Sequence, residues 1–312
     1  MDLDRIMLGT AMWGWTVTKE VAFQLLDLYY EQGYRLIDAA TNYPLNNEKQ
    51  DFRRSEKILQ EWIGINNVKD LQVNVKIGSL TNIRTPDHNL RPSFIKMNWE
   101  YYKGWLGDNL HTLMFHWDNR DDSSEIQASF EMLNQIAKAG YQVGFSGIKH
   151  AAVYAEVLQQ FDFNFTIQLK HNLIHSDLPR YTMFQDQPRF YTYGINAGGL
   201  KMDSKSYHQA SSLKVRGGNV EEVHPASKAL CDLFDDFNKD EQLPKLSKMN
   251  QAAMIFALYT PKVKGVLMGP SKIAQLQDSL DWLQLVDQHD WQLFYDELLK
   301  IHREYAPKER RI

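Results

Sequence analysis

Four ionisable side chains in the first half of the chain could together deliver a proton to a carbonyl oxygen. Asp38, Tyr43, Lys76 and His116 each lie at or just beyond the end of a short apolar run. A phenol has a pKa near 10, so Tyr43 needs a neighbouring cation to release its proton readily at neutral pH. Lys76 could be that cation, Asp38 could hold the lysine, and His116 could orient a polar substrate atom. We predict a proton-donating site if the fold brings the four together.

Each of these residues also has an ordinary structural explanation. Asp38 and Lys76 could form a structural ion pair, and His116 could be a hydrogen-bonded core histidine. His116 and Asp118 could also be metal ligands, which would make the chain a metal-assisted hydrolase. No third ligand follows at suitable spacing, so we predict no metal site. The combination of all four residues favours proton donation.

The elements that must position these residues are short β-favouring runs, each followed by a longer helical pattern. Several runs are apolar at consecutive positions, which is typical of strands buried on both faces. The eight predicted strands are Arg5–Leu8, Arg35–Asp38, Leu71–Lys76, Thr112–His116, Val143–Ser146, Phe165–Leu169, Phe190–Tyr193 and Val263–Met268.

Amphipathic helical patterns fill the intervals between the strands. Thr18 is predicted to cap a helix that Gly33 ends, and further patterns follow Ser55 and Ser124. Ser271 is predicted to be the N-cap of a helix near the end of the chain.

Eight strand–helix units of about 39 residues predict one α/β domain over residues 1–312, closed as a single-domain (β/α)8 TIM barrel. An open, doubly wound sheet is the alternative. Against it, no G-x-G-x-x-G follows the first strand and no P-loop sequence is present.

Composition narrows the classes of partner. The net charge is −4 with no long basic run, which excludes nucleic acid and anionic membranes as expected partners. The longest apolar stretch, Ala252–Tyr259, is far shorter than the ~20 residues of a membrane span. The first residues lack the pattern of a signal peptide, and Cys231 is the single cysteine. We expect a cytoplasmic protein with a small-molecule substrate; the composition specifies no oligomeric state.

A series of motifs runs through nearly the whole chain in order. They are Leu8-Gly9-Thr10-Ala11-Met12-Trp13-Gly14, Leu36-Ile37-Asp38-Ala39-Ala40-Thr41-Asn42-Tyr43, Ser55-Glu56, Val75-Lys76, Phe115-His116-Trp117, Gly144-Phe145-Ser146, Gln168, Tyr193-Gly194-Ile195-Asn196-Ala197-Gly198-Gly199-Leu200, and Gly269-Pro270-Ser271-Lys272 with Gln275-Leu276. In residue types and spacing this series resembles the aldo-keto reductase superfamily.

The resemblance implies an NAD(P)H-dependent carbonyl reductase, or an alcohol dehydrogenase in the reverse direction. It implies that Tyr43 is the general acid, that Lys76 and Asp38 lower its pKa, and that His116 orients the substrate carbonyl. Members of the family bind the dinucleotide across the barrel mouth without a Rossmann domain, which accounts for the missing glycine fingerprint. The same fold also carries non-catalytic NADPH-sensing regulatory subunits, and that alternative stays open.

The resemblance also implies a set of cofactor-binding residues. Ser146 and Gln168 would hold the nicotinamide carboxamide, and Tyr193 would stack on the ring. The remaining members are Gly9 and Thr10, then Asn196 and Gly199 for the pyrophosphate, and Ser271, Lys272 and Gln275 for the adenosine 2′-phosphate and adenine. A lysine at a helix start is unfavourable unless an anion lies beside it, so Lys272 favours NADPH over NADH.

Three positions depart from the family pattern. Gly147 follows Ser146 where the family commonly has asparagine, so one carboxamide-binding side chain is missing. Ser279 stands where an asparagine often contacts adenine, and Pro44 follows Tyr43 in place of the usual glycine. The segment 201–223, which includes Arg216, is predicted to be a binding loop or a disordered flap. These departures concern cofactor affinity and substrate shape, because the four catalytic residues are all present.

Overall fold

The structure is a computed structural model, and it describes residues 2–83, 85, 87–184, 189–199 and 224–306. The predicted binding loop at 201–223, with Arg216, lies outside the described residues.

Eight parallel strands form a closed barrel, in the order β1-β2-β3-β4-β5-β6-β8-β9 with β9 pairing back to β1. The strands are β1 Ile6–Gly9, β2 Leu36–Ala40, β3 Gln72–Ile77, β4 Leu110–His116, β5 Gln142–Ser146, β6 Phe165–Asn172, β8 Arg189–Tyr193 and β9 Val263–Met268. A two-residue strand, β7 (His175–Ser176), pairs antiparallel with the end of β6. The predicted (β/α)8 barrel is confirmed.

Helices surround the barrel. In the described parts of the chain they are α1 Lys19–Glu31, α2 Arg54–Asn66, α3 Pro92–Leu106, α4 Ser123–Lys138, α5 Ala151–Leu158, α6 Pro225–Phe237, α7 Met249–Tyr259, α8 Ile273–Gln288 and α9 Gln292–Tyr305. The apolar stretch singled out in the sequence is therefore the buried helix α7. None of the helices described is long and apolar enough to cross a membrane.

The core has two parts because alternate strand residues point to opposite sides of the sheet. The larger part lies between the strands and the helices, where Leu25 of α1 and Phe130 of α4 are fully buried. The smaller part fills the lumen of the barrel and consists of Met7, Leu36, Tyr191 and Leu267. Polar side chains of the same inward-facing rows lie above this small apolar cluster and form the candidate site.

The structure tests two of the predicted helix N-caps. The predicted cap at Thr18 is confirmed, since its side chain accepts a hydrogen bond from the backbone N–H of Val21. The predicted cap at Ser271 is wrong: the N-cap of α8 is Lys272, which makes no side-chain capping bond. The hydroxyl and the backbone N–H of Ser271 both donate to Oε1 of Gln275, so Gln275 rather than Ser271 supplies the acceptor at this helix start.

Candidate active site

The four predicted catalytic residues come together at the carboxyl-terminal half of the barrel lumen. Asp38 lies two residues before the end of β2, Lys76 one residue before the end of β3, and His116 ends β4. Lys76 is 1% exposed, and Asp38 and His116 are 2% exposed each. Tyr43, just beyond β2, is 8% exposed. Because alternate residues of a strand point into the barrel, Asp38, Lys76 and His116 all face the lumen near its mouth.

Lys76 and Asp38 form a buried ion pair that a third residue completes. Nζ of Lys76 donates to Oδ2 of Asp38 at 2.5 Å and to Oε1 of Gln168 at 3.2 Å. Nε2 of Gln168 donates to Oδ1 of Asp38 at 2.7 Å. An ion pair removed from water is favourable only when its remaining hydrogen-bonding capacity is satisfied, and the amide of Gln168 satisfies both partners.

The electrostatics keep Lys76 protonated. Burial by itself would lower the pKa of Lys76, but the Asp38 charge and the neighbouring Tyr43 phenol outweigh burial and raise the pKa above its ordinary value. The ammonium nitrogen lies 4.9 Å from the centroid of the Tyr43 ring. A fixed positive charge beside a phenol favours the phenolate that remains after proton transfer.

His116 approaches the same phenol from another strand. The rings of His116 and Tyr43 are edge to face, with centroids 5.9 Å apart and planes at 87°. Burial, followed by the positive charge of Lys76, holds the pKa of His116 well below its ordinary value, so the imidazole is neutral. Among the described residues, its Nδ1 has no hydrogen-bond partner. A neutral imidazole beside the phenol is suited to hydrogen bonding with a substrate oxygen.

The segment that carries Tyr43 is fixed to the start of α2. The Tyr43 backbone N–H donates to the carbonyl of Ala40 at 3.1 Å, and its own carbonyl accepts from the N–H of Ser55 at 3.3 Å. Ser55, which the sequence placed before a helical pattern, lies inside α2, and its hydroxyl donates to the backbone carbonyl of Thr10 at 2.8 Å. The β1, β2 and α2 segments are thereby joined around the phenol.

A buried acid beside this junction was not given a role from the sequence. Glu56 accepts hydrogen bonds from Arg53 at 2.8 Å and from the hydroxyl of Tyr102 on α3. Burial raises the pKa of Glu56 above its ordinary value, against the opposing charge of Arg53. The backbone N–H of Arg53 donates to the carbonyl of Thr41 at 3.1 Å, so this cluster ties the first turn of α2 and the helix α3 to the segment before Tyr43.

The residues predicted to hold the nicotinamide occupy neighbouring strand ends. In the sheet register, Ser146 pairs with His116 on one side and with Gln168 on the other. Tyr193 pairs with Lys170 at the end of β8. Ser146 and Gln168 therefore lie beside the predicted catalytic residues, and Tyr193 ends the strand next to β6; their contacts with a cofactor remain a prediction.

Gly9 and Thr10 lie on the opposite side of the same mouth and have backbone-directed roles. The hydroxyl of Thr10 donates to the backbone carbonyl of Asp38 at 2.9 Å, and Thr10 is fully buried. A Cβ at Gly9 would lie 3.3 Å from the carbonyl oxygen of Met268. These contacts join β1 to β2 and β9 next to the ion pair.

The residues predicted for the outer part of a dinucleotide lie on the surface, away from the phenol. Asn196 and Gly199 share a turn after β8, in which the N–H of Gly199 donates to the carbonyl of Asn196 at 2.8 Å. Ser271, Lys272 and Gln275 are exposed at the start of α8. No acidic group of the described chain forms an ion pair with Lys272, whereas Lys248 pairs with Asp278 of α8 at 2.5 Å.

This donor set fits an anionic dinucleotide. An exposed lysine at the N-terminus of a 16-residue helix combines a full positive charge with the positive end of the helix dipole. Among the described residues, nothing lies within 4 Å of where a Cβ would be at Gly269, just before Lys272, or at Gly199, which follows the neighbouring strand β8. The residues present could therefore hold phosphate groups at the rim and a ring near Tyr193.

The glycine at position 147 is explained by a tryptophan. Gly147 has φ +68°, and a Cβ there would lie only 2.6 Å from Cδ1 of Trp117. Trp117 has φ +55°, its N–H donates to the carbonyl of Ser146 at 2.9 Å, and its ring centroid lies 4.6 Å from that of His116. The indole thus lies where a longer residue at 147 would begin, a contact that no sequence signal specified.

Asp118, considered above as a metal ligand, has other partners. Its carboxylate is fully buried and accepts from Arg120 at 2.8 Å and from the hydroxyl of Tyr154. Nε2 of His88 lies 3.5 Å from the same carboxylate. Across the described ranges, no group of three or more potential metal-ligating side chains is found. The Asp118 cluster holds the loop after β4 to α5.

The fold and the lumen define the class of protein: a parallel (β/α)8 barrel with a Tyr–Lys–Asp–His site at the carboxyl ends of its strands. Comparison with known proteins specifies the class further. The model of the Aldo/keto reductase family matches residues 5–293, so the chain belongs to this family. It is therefore an oxidoreductase of carbonyl compounds, in a family that uses nicotinamide cofactors and small-molecule substrates.

The structural comparison supports the same fold. The chain is similar to a crystal structure provisionally assigned as a 2,5-diketo-D-gluconic acid reductase B, with a TM-score of 0.65 and 15% sequence identity. The alignment covers 99% of this chain and 89% of that one. No curated protein matches the sequence. At this identity the likeness shows the fold alone.

Proposed function

We propose that the protein is an NADPH-dependent carbonyl reductase in which Tyr43 donates the proton to an aldehyde or ketone oxygen. One observation carries this proposal: the ammonium of Lys76, held by Asp38, lies 4.9 Å from the Tyr43 ring, with the neutral His116 edge-on to the same ring. A structural ion pair needs no phenol and no unpartnered imidazole nitrogen beside it.

The residues divide the work as follows. The nicotinamide cofactor supplies the hydride when bound. Tyr43 donates its phenolic proton to the developing alkoxide, and Lys76 stabilises the phenolate that remains. Because His116 is neutral, its imidazole can bind the carbonyl oxygen through a hydrogen bond without competing as an acid. Asp38 keeps the ammonium in place and takes no proton itself.

The preference for NADPH rests on Lys272. Its side chain is exposed at the N-cap of α8, and the described residues include no acid that pairs with it. An additional phosphate on the adenosine ribose would supply the negative charge that this helix start favours. NADH has no such group and would gain less from the same residue.

The experiment that tests the chemistry compares Tyr43→Phe with the wild type on a panel of aldehydes and ketones. We expect kcat/KM to fall by about 10²–10⁴-fold, the usual contribution of a general acid, while the Kd for NADPH is unchanged. Tyr191→Phe is the matched control, since Tyr191 also faces the lumen but donates to the backbone carbonyl of Asp4 at 3.0 Å, at the other end of the barrel.

Two results would contradict the proposal. Turnover by Tyr43→Phe close to that of the wild type would remove Tyr43 as the proton donor. Tight binding of NADPH by the wild type, with no turnover of any carbonyl compound in the panel, would instead favour the NADPH-sensing regulatory subunit.

A further inference from the structure

The geometry points to Gln168 as a positioning residue that directs the ammonium of Lys76 toward Tyr43. This inference rests on the proposed function and deepens it, because it adds a fifth side chain to the proton-donating machinery. It concerns a contact inside the protein, distinct from the carboxamide contact that the family resemblance implies for the same residue.

Two of the three hydrogen-bond donors of Lys76 are already occupied. An ammonium group carries three N–H donors and no acceptor. Oδ2 of Asp38 accepts one at 2.5 Å, and Oε1 of Gln168 accepts a second at 3.2 Å. With two directions occupied on β2 and β6, the third donor is left for the phenol of Tyr43, whose ring centroid lies 4.9 Å from Nζ.

The side-chain amide of Gln168 has one favourable orientation. Nε2 of Gln168 donates to Oδ1 of Asp38 at 2.7 Å and lies 3.6 Å from Sδ of Met7. Turning the amide over would place its NH2 group against the ammonium and its oxygen against the carboxylate, which is unfavourable at both ends. The carboxylate of Asp38 therefore fixes the amide, and the amide fixes the ammonium.

Burial makes the contact between Lys76 and Gln168 sensitive to the loss of either partner. Gln168 is fully buried, and Lys76 is 1% exposed, so water does not replace a missing acceptor without rearrangement. The titratable groups that face the ammonium are Asp38 on β2, Tyr43 beyond it and His116 on β4, with Tyr193 of β8 facing the phenol. Without the amide oxygen, the ammonium loses one of its neutral acceptors and is drawn toward its charged partner Asp38, away from Tyr43.

The test uses Gln168→Met, which keeps a similar volume and removes both hydrogen-bonding groups. Ionisation of Tyr43 is followed by tyrosinate absorbance in the absence of cofactor, as the difference between each protein and its Tyr43→Phe counterpart. We expect the pKa of Tyr43 to rise by about one unit, which is about a tenfold change in proton affinity. At saturating NADPH we expect kcat to fall about tenfold; the Kd for NADPH, measured separately by protein fluorescence, reports on the carboxamide contact that the family resemblance implies for the same residue.

A second variant gives a pH signature. In Gln168→Glu the protonated acid can donate to Asp38 and accept from Lys76, as the amide does, whereas the ionised acid repels Asp38. We expect its kcat to recover toward the wild-type value as the pH is lowered, with an additional ionisation that neither the wild type nor Gln168→Met shows. The added carboxyl titrates in either case; a positioning role requires that its ionisation also shifts the tyrosinate titration of Tyr43, which a merely structural role would not do.

The matched control is Asn74→Leu. Asn74 of β3 is another buried lumen amide in contact with Met7, at 3.3 Å from Sδ, but its second partner is His111 rather than the ion pair. Removing this amide should leave the ionisation of Tyr43 where it is. An equal shift in Asn74→Leu would show a general disturbance of the lumen and overturn the inference.

The outcomes separate this inference from the function it rests on. If the Gln168 variants weaken NADPH binding more than tenfold while the ionisation of Tyr43 stays constant, the residue acts on the cofactor and the inference is wrong. If the wild type reduces no carbonyl compound, the proposed function fails, but the cofactor-free titration still decides whether Gln168 governs the Lys76–Tyr43 contact.

Discussion

Replacing Gly147 with alanine tests whether the indole of Trp117 excludes a side chain from the end of β5. Gly147 follows β5 and Trp117 follows the neighbouring strand β4. Both residues have positive φ, +68° for Gly147 and +55° for Trp117. An added Cβ would lie 2.6 Å from Cδ1 of the indole, a separation that real Cβ contacts essentially never show. The indole is rigid and packs on His116, so it can make room only by turning away from that contact.

The expected destabilisation has two parts. Holding an alanine in the left-handed region costs about 1–2 kcal/mol. Forcing a methyl group into an occupied position costs about 1–3 kcal/mol more. Gly147→Ala should therefore lower the free energy of unfolding by about 2–5 kcal/mol, with the second part arising from Trp117 alone.

Urea unfolding of the wild type and four variants separates the two parts. Gly194→Ala is the matched control, because Gly194 has φ +65° and a Cβ there would make only ordinary contacts, at 3.6 Å from Cγ of Lys170. It should show the backbone cost without the clash. In the double variant Gly147→Ala/Trp117→Ala the clash disappears, so the cycle with both single variants should give a coupling of about 1–3 kcal/mol.

Equal losses of stability in Gly147→Ala and Gly194→Ala, or no recovery of the difference on truncating Trp117, would contradict a clash with the indole. In either case the glycine would be explained by its backbone conformation alone. A supported result would mean that restoring the family's asparagine at this position requires a smaller residue at 117 as well.

Two further predictions concern charge. Lys272→Ala should raise the Kd for NADPH by about 10–100-fold, which corresponds to the loss of a charged hydrogen bond, and should leave the Kd for NADH nearly unchanged. The control is Lys248→Ala, which should change neither Kd because Lys248 is already paired with Asp278. An equal rise in the Kd of both cofactors in Lys272→Ala would contradict the assignment of Lys272 to the 2′-phosphate. Burial, with smaller effects of two nearby histidines, lowers the pKa of His171 to about 3, so the unfolded chain binds a proton below pH 6.5 that the folded chain does not, and stability is lost as the pH falls through that window. Between pH 7 and 5 this should cost about 2 kcal/mol, and in His171→Gln the decrease in unfolding free energy should be smaller by that amount; an unchanged decrease would show that His171 is not the group responsible.

The barrel could be predicted from sequence because each strand is buried on both faces. The run Thr112–His116 contains three consecutive apolar residues, Leu113, Met114 and Phe115, and it falls within β4, Leu110–His116. The strand β6 extends to Asn172, three residues beyond its predicted end at Leu169, since its last residues pair with the two-residue strand β7. Nothing in a two-residue strand distinguishes it from a loop.

The candidate site could be predicted in its members but only partly in their contacts. The convergence of Asp38, Tyr43, Lys76 and His116 follows from the ends of parallel strands. The bonds of Gln168 to the ion pair depend on β6 facing β2 and β3 across the lumen, which no local pattern encodes. The N-cap of α8 is Lys272 and not the predicted Ser271, because Oε1 of Gln275 already accepts the bonds at this helix start. A serine is a favourable cap only when its own oxygen is the acceptor.

The network of Asp38, Lys76 and Gln168 has a consequence for how the molecule reaches its native state. The lysine and its glutamine partner are 92 residues apart in sequence, and the strands between them must be in place before the two can meet. Until β6 docks, an ammonium and a carboxylate directed into the lumen keep their water, and withdrawing that water without the third partner would be unfavourable. Docking of β6 and dehydration of the charges should therefore coincide, so a fragment that ends before β6 would contain Tyr43 and Lys76 without the dry environment that the proposed chemistry needs.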